Sequence, residues 1–280
     1  MTEDATVVSE QAVLFGDNSL FAIVTESGAV RRSSAVILLN SGLLHRVGPS
    51  RLYVLLSRQL ARQGFVTARI DASGKGDTPR RHGATAKDSL LQDYDDVCRG
   101  LHSRYGLDRF ILIGLCSGAD DAFAIASVRD NVAGLVLLDG YGATTLRYHF
   151  RHYGSRIFRL GSWMTRSRRI VNRLLRIKHR IEEDEADLSM VKIRNFPGID
   201  EARRRFENIS RHCERCLCIY TSASHSYYNY QGQLLDRFPT FRLQGGVREI
   251  YLPAAKHTYP LAHHRRIAID SICDWAMDFS

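Results

Sequence analysis

The sequence predicts an α/β fold in which an eight-stranded, mostly parallel sheet carries helices on both faces and holds one inserted helical cap. Three features lead to this prediction. Eight short apolar runs are each closed by turn residues, and the later runs alternate with segments of helical periodicity. The alternation is then interrupted once, by the long stretch 140–216.

Each strand of the predicted sheet is a run of apolar residues of strand length. The candidate strands are 12–15, 20–24, 35–40, 65–71, 110–114, 134–139, 217–221 and 248–252. Apolar residues recur with helical spacing in 51–64, 87–105, 117–129 and 263–279. Because strand and helix follow each other in turn, neighbouring strands should be parallel and both faces of the sheet covered.

The interruption after the sixth strand predicts the domain organisation. Connections in compact domains are about 6 residues long, so a stretch of this length is an insertion. We expect residues 1–139 and 213–280 to form the core and residues 140–212 to form a helical cap. A chain of 280 residues is long enough for one such large domain.

Composition and the first residues predict a cytoplasmic globular protein. Hydrophobic residues make up 44% and charged residues 25%. No apolar run is long enough to span a bilayer, and the start MTEDATVVSEQ lacks the pattern of a signal peptide. Six cysteines are too few for a disulfide scaffold, so we expect reduced thiols.

The net charge of +9 is concentrated between Arg147 and Arg215. A basic surface there would attract an acidic partner such as an acyl or peptidyl carrier protein. The alternative is a solvated face whose arginines pair with the acidic run 182–187. No nucleic-acid-binding motif accompanies the arginines, so no nucleic-acid partner is expected.

The segment Gly114-Leu115-Cys116-Ser117-Gly118 links the fifth strand to a helix. A side chain on so sharp a turn is exposed for reaction, and residues two positions away must be small because strand and helix crowd together there. The helix N-terminus would stabilise a Cys116 thiolate. The alternative is a small buried cysteine, which leaves both glycines unexplained.

This segment resembles the G-x-S-x-G nucleophile elbow of the α/β-hydrolase family, with cysteine in the place of serine. Asp71–Thr78 resembles the D-x-x-G-x-G-x-S/T loop of many such hydrolases. Residues 38–65 and the sequence GLCSGA are similar to bacterial serine-aminopeptidase-like hydrolases, including those associated with exosortase systems. The resemblance implies an α/β-hydrolase fold and acyl chemistry.

The resemblance also implies two backbone donors for a developing oxyanion. One is the N–H of Ser117. The other belongs to Gly42 or Leu43, and we favour Leu43; the alternative for Gly42 is an ordinary turn.

His257 is the candidate base, because of eleven histidines it alone lies on a loop just past the last apolar strand. The stretch Ala254–Thr258 also resembles the histidine-bearing segment of the family. His263 and His264 lie where the last helix begins, and His225 follows the seventh strand, so these are weaker candidates.

The acid of a catalytic triad is missing from its usual place in the family, where Ser224 stands here. Either Cys116 and His257 act as a dyad, or Asp139, at the end of the sixth strand, has taken over. We favour Asp139 by a small margin over the dyad; a turn role for Asp139 remains the alternative.

Three residues are candidates for binding substrate: Gly42 on the loop after the third strand, Asp120 and Tyr141. Asp120 lies one helical turn after Cys116 and could bind a cationic group, although pairing with an arginine is the stronger alternative. Tyr141 follows the sixth strand closely. Cys213 and Cys216 have C-x-x-C spacing, but no second pair completes a metal site, so we expect burial and neither metal nor cofactor.

Together these residues predict acyl transfer or hydrolysis on a thioester or ester through an acyl-Cys116 intermediate. A thioester intermediate favours acyl groups that arrive on coenzyme A or a carrier protein. The alternatives are a plain esterase or lactone hydrolase, and a non-catalytic binding protein on a hydrolase scaffold.

Overall fold

The computed structural model describes residues 7–17, 19–157, 194 and 196–279, and it contains one eight-stranded sheet. The strands are β1 Val8–Phe15, β2 Leu20–Ser27, β3 Ser34–Leu39, β4 Thr67–Ile70, β5 Arg109–Leu115, β6 Val132–Leu138, β7 Arg215–Thr221 and β8 Val247–Leu252. Their spatial order is β1-β2-β4-β3-β5-β6-β7-β8. Of the strand pairs in the described part of the chain, only β1/β2 and β2/β4 are antiparallel. The predicted α/β-hydrolase fold with a mostly parallel sheet is confirmed.

Every predicted strand is present, and the largest difference is at β1. The prediction began this strand at residue 12, whereas it begins at Val8. The first half, VSEQ, is polar because β1 lies at the edge of the sheet and exposes much of its surface. An apolar pattern therefore detects only its buried end.

Helices cover both faces of the sheet. The helices are α1 Leu52–Arg62, α2 Ala86–Tyr105, α3 Ser117–Ala126, α4 Leu146–Ile157, α5 Ile199–Ile209, the short α6 Gln233–Arg237 and α7 Ala262–Ala276. One face packs against α2, α3 and α5, and the other against α1 and α7. On both faces, the contact between helices and sheet is made by fully buried side chains. This burial of apolar area is the main source of the fold's stability.

The parallel strands β3, β5, β6, β7 and β8 all end at the same edge of the sheet. The chain leaving each strand at this edge carries, in turn, the loop from Asn40, the residue Cys116, the residue Asp139, the helical turn from Ser222 and the loop around His257. Ligands of open α/β sheets bind outside this carboxyl edge. The fold thus collects all the predicted site residues on one side.

About half of the cap predicted over 140–212 lies outside the described residues. Of its described parts, α4 and α5 flank the gap. α5 packs Ala202, Phe206 and Ile209 into the same core as α2 and α3. The boundaries of the cap stay a prediction. Among the helices that the structure describes, none combines the length and the apolar character needed to cross a membrane.

Candidate active site

Cys116 forms the tight turn between β5 and α3. Its backbone has φ 59° and ψ −120°, a conformation that side chains rarely adopt. The two flanking glycines make room for this turn, because a Cβ on Gly114 would lie 2.0 Å from the Gly118 oxygen and one on Gly118 would lie 2.5 Å from the Asn40 oxygen. The crowding predicted for both positions is confirmed.

Asp139 ends β6, beside the elbow. Its backbone φ is +47°, and its side chain is 1% exposed. The carboxylate accepts two hydrogen bonds from Thr221 at the end of β7, one from the backbone N–H at 2.6 Å and one from the hydroxyl at 2.7 Å. These bonds fix the orientation of the carboxylate.

His257 lies on the loop after β8 and is 5% exposed. Its Nδ1 is 2.7 Å from Asp139 Oδ2, and the ring also hydrogen-bonds the Cys116 side chain. Burial acts to lower the pKa of His257, but the hydrogen bonds and charges of Asp139 and Cys116 outweigh it and raise the pKa to about 10. The imidazole is therefore protonated at neutral pH while the thiolate is present.

The Cys116 thiol is the group that hydrogen-bonds this imidazolium. Burial acts to raise its pKa, but the hydrogen bond and charge of His257, the charge of Arg194 and the backbone N–H of Ser117 bring the pKa below its ordinary value. The remaining cysteines whose pKa values shift do so upwards: burial raises Cys98, Cys213 and Cys273 to about 12, and a hydrogen bond with Cys218 together with burial raises Cys216. Among the cysteines whose pKa shifts, Cys116 is thus the one whose pKa is lowered, which favours its thiolate.

One backbone donor lies next to the sulfur, and the loop after β3 is the candidate source of a second. The N–H of Ser117, at the start of α3, points at Cys116. The N–H of Gly42 donates to the Ser117 hydroxyl at 2.8 Å, so Gly42 is not free to act as an oxyanion donor. No hydrogen bond from the Leu43 N–H to another described residue is found, while its side chain is 90% exposed. Leu43 remains the candidate for the second donor.

The structure gives Asp120 a partner other than substrate. Both carboxylate oxygens accept hydrogen bonds from Arg194, at 2.7 and 2.5 Å. This is the arginine pairing that the sequence left as the alternative. Because Arg194 occupies both oxygens, Asp120 does not offer a free anion for a cationic substrate group.

Tyr141 is part of the core instead of the surface of the site. Its ring is 4% exposed and packs against Phe123, Phe196, Phe206 and Phe238. Its backbone oxygen accepts a hydrogen bond from the Tyr220 hydroxyl at 2.7 Å. This packing favours a core role for Tyr141, and its contact with substrate stays a prediction.

Ser224 stands where the resemblance to the family places the acid of the catalytic triad, and its contacts here are local. Ser224 is fully buried and donates its hydroxyl to the Thr221 oxygen at 2.7 Å, which closes a turn. The rival histidines are not part of the Cys116 cluster: His225 lies against His152, and His263 against His264.

The C-x-x-C pair lies in the core, as predicted. Cys213 and Cys216 are buried, and the Cys216 and Cys218 sulfurs lie 3.7 Å apart on β7. The described residues contain no cluster of three or more metal-ligating side chains.

Three residues around Asp139 were not predicted. Thr221 fixes its carboxylate, while Tyr227 and Arg194 donate to its backbone oxygen, at 3.1 and 2.6 Å. Thr221 could have been found, since it ends the strand next to the one that Asp139 ends. Arg194 could not, because it is one of many arginines in its segment.

Solved structures of α/β-hydrolases resemble this fold over nearly its whole length. A thermostable carboxyl esterase from Bacillus coagulans has a TM-score of 0.62 at 13% identity, with 98% of this chain and 99% of that chain covered. A dienelactone hydrolase from Anabaena variabilis gives 0.55 at 13% identity, with 98% and 99% covered. A proline iminopeptidase from Mycobacterium smegmatis gives 0.54 at 16% identity, with 96% and 100% covered. At such identities the likeness shows the fold alone.

The sequence also matches a family model directly. Residues 31–192, more than half of the chain, match the model described as serine aminopeptidase, S33. The match includes the elbow at Cys116 and Asp139 but ends before His257. Among curated proteins, none matches the sequence. With its elbow, its strand order and this match taken together, the chain belongs to the serine aminopeptidase S33 family of α/β-hydrolases.

Proposed function

We propose that this protein is an α/β-hydrolase-fold enzyme with a cysteine nucleophile, which transfers or hydrolyses activated acyl groups through an acyl-Cys116 intermediate. The observation that carries the proposal is the continuous chain of contacts from the Cys116 thiol through His257 to Asp139. The acyl-thioester intermediate distinguishes it from the serine chemistry after which the family is named.

In the first step the Cys116 thiolate forms a bond to the carbonyl carbon of a thioester or ester. The electron pair of the carbonyl moves to its oxygen, where the N–H groups of Ser117 and Leu43 stabilise the charge. When the intermediate collapses, the bond to the leaving thiol or alcohol breaks. His257 gives its proton to that group.

The second step uses the change in charge at the sulfur. The thiolate is one of the groups that raise the pKa of His257, so acylation of Cys116 removes this support and lowers that pKa. The imidazole can then take a proton from water or from another acceptor, which attacks the thioester. Collapse breaks the bond to sulfur and restores the thiolate and imidazolium.

The substrate class follows from the nucleophile. An acyl group on sulfur stays activated, so it can pass to an amine, alcohol or thiol as well as to water. We propose acyl thioesters on coenzyme A or on an acidic carrier protein as donors, since the segment from Arg147 to Arg215 is rich in arginine. No cofactor enters the steps above.

Intact-mass analysis tests this proposal. The purified protein is incubated with acyl-coenzyme A, acyl carrier and p-nitrophenyl ester panels, and a mass increase equal to the acyl group is mapped by peptide analysis. We expect the adduct on Cys116. Cys116→Ala should lose adduct and turnover, whereas Cys98→Ala, a buried cysteine on α2, should keep both.

Absence of any adduct, with Cys116→Ala as active as the wild type, contradicts the proposal. Binding of acyl ligands without turnover in the wild type favours a non-catalytic binding protein.

Hydrolysis is the second candidate outcome, since the carboxyl esterase and the dienelactone hydrolase share this fold. Added amine or thiol acceptors separate the two outcomes. Transfer gives acylated acceptor in proportion to its concentration, and hydrolysis gives the free acid whatever acceptor is present.

A further inference from the structure

Arg194 reaches the candidate active site from the chain between β6 and α5. Its side chain is 4% exposed, and each of its nitrogens donates to a partner. Nε and Nη2 bind the two oxygens of Asp120, and Nη1 binds the backbone oxygen of Asp139 at 2.6 Å. The guanidinium also lies over the Phe196 ring, 4.6 Å from its centre. A planar group with this many fixed contacts is held in one orientation.

The two residues that Arg194 binds, Asp120 and Asp139, belong to two different parts of the candidate site. Asp120 lies one helical turn after the nucleophile on α3, and Asp139 carries the carboxylate that orients His257. The backbone at Asp139 has a positive φ, which is a strained conformation for this residue. Two donors, Arg194 and the Tyr227 hydroxyl, hold its oxygen and offset that strain. Arg194 thus joins the nucleophile helix to the acid-bearing turn.

The charge of Arg194 acts on the sulfur as well. Arg194 shares this region with five other ionisable groups: Cys116, His257, Asp120, Asp139 and Tyr227. Arg194 and His257 carry the positive charges that lower the pKa of Cys116, while Asp120 compensates part of the charge of Arg194.

Building on the proposed function, we propose that Arg194 is a positioning residue for acyl transfer: it fixes the Asp139 turn relative to Cys116 and stabilises the thiolate by its charge. Two variants separate these effects. Arg194→Gln removes both. Arg194→Lys keeps the positive charge but cannot bind two oxygens of Asp120 and the Asp139 oxygen together.

The test measures the rate of iodoacetamide alkylation of Cys116 against pH, together with kcat and KM for the best acyl substrate. Arg194→Gln should raise the apparent thiol pKa by about one unit and slow alkylation near neutral pH by about threefold to tenfold. Arg194→Lys should restore the thiol pKa but keep a lowered kcat. Asp120→Asn should leave the thiol pKa unchanged or lower it, because a negative charge is removed, while kcat falls.

Arg203→Gln is the matched control, since Arg203 lies on α5 and pairs at the surface with Asp200. The inference is overturned if Arg194→Gln has the same thiol pKa and the same kcat as this control. It is also overturned if Arg194→Gln differs from the control only in its melting temperature. The alkylation profile needs no acyl substrate. If Cys116 takes up no acyl group yet the Arg194→Gln profile shifts, the proposed function fails and the charge effect stands. If acylation occurs and Arg194→Gln changes nothing, only this inference fails.

Discussion

His257 Nδ1 lies 2.7 Å from Asp139 Oδ2, so the histidine of the last loop is paired with an acid that ends β6 instead of one that follows β7. The two strand ends are adjacent in the sheet, because β6 and β7 pair in parallel register up to Leu138 and Ile219. A shift of the acid by one strand therefore keeps it within reach of the same imidazole. The serine at the vacated place, Ser224, is left with a turn-closing hydrogen bond.

Asp139→Asn should lower kcat/KM by about 100-fold, because the amide cannot stabilise the imidazolium that activates the thiol. It should also raise the apparent pKa of Cys116, since that pKa depends on the charge of His257. Steady-state kinetics and pH-dependent alkylation check both effects. Ser224→Ala is the control and should keep activity within about threefold. Equal losses in the two variants would show that Asp139 has no special role.

The pH profile should differ between alkylation and turnover. The pKa of Cys116 is below its ordinary value, so the thiolate is formed at lower pH than in a free cysteine, and both rates should fall when acid protonates it. The pKa of His257 is raised to about 10, so above that pH the proton for the leaving group is lost. We expect kcat/KM to decline through about pH 10, whereas alkylation stays fast. A parallel decline of the two rates would contradict the proton-donor role of His257, and His257→Gln should abolish the difference.

The strands and the elbow could be predicted from sequence because they rest on local chemistry. The apolar runs at 110–114 and 134–139 mark buried parallel strands, and the glycines around Cys116 mark a turn with no space for side chains. The edge strand β1 was predicted too short, since its exposed polar half has no apolar signal.

The contacts that orient the site could not be predicted in the same way. Nothing in the segment around Arg194 distinguishes it from its neighbours, and its partner Asp120 could equally have faced substrate. Tyr141 gave a similar ambiguity, because an aromatic residue after a strand fits both a pocket wall and a core. Whether these residues face the core or the substrate depends on the path of the chain between β6 and β7. The spacing of apolar residues in the sequence does not encode that path.

Ser117→Ala should lower kcat by about tenfold with little change in KM. The Ser117 hydroxyl accepts the Gly42 N–H at 2.8 Å and so holds the loop that carries Leu43. Without this bond the loop with Leu43, the proposed second oxyanion donor, is less well held, although the Ser117 N–H itself remains. Ser127→Ala is the control: its hydroxyl bonds Ala124 at the far end of the same helix. A fall in kcat common to both variants would point to a general weakening of α3.

Gly118→Ala should destabilise the protein by about 2 kcal/mol, because the new Cβ would lie 2.5 Å from the Asn40 oxygen and 2.9 Å from the Leu39 oxygen. Backbone cannot yield as a flexible side chain does, so α3 must move away from β3 and take the Cys116 turn with it. Urea unfolding gives the loss of stability, and alkylation of Cys116 reports the displaced thiol. Gly28→Ala provides the comparison, since a Cβ there meets nothing within 4 Å and the free energy of unfolding should stay nearly unchanged. If both variants unfold at the same urea concentration as the wild type, the close approach of β3 and α3 does not account for the glycine at this position.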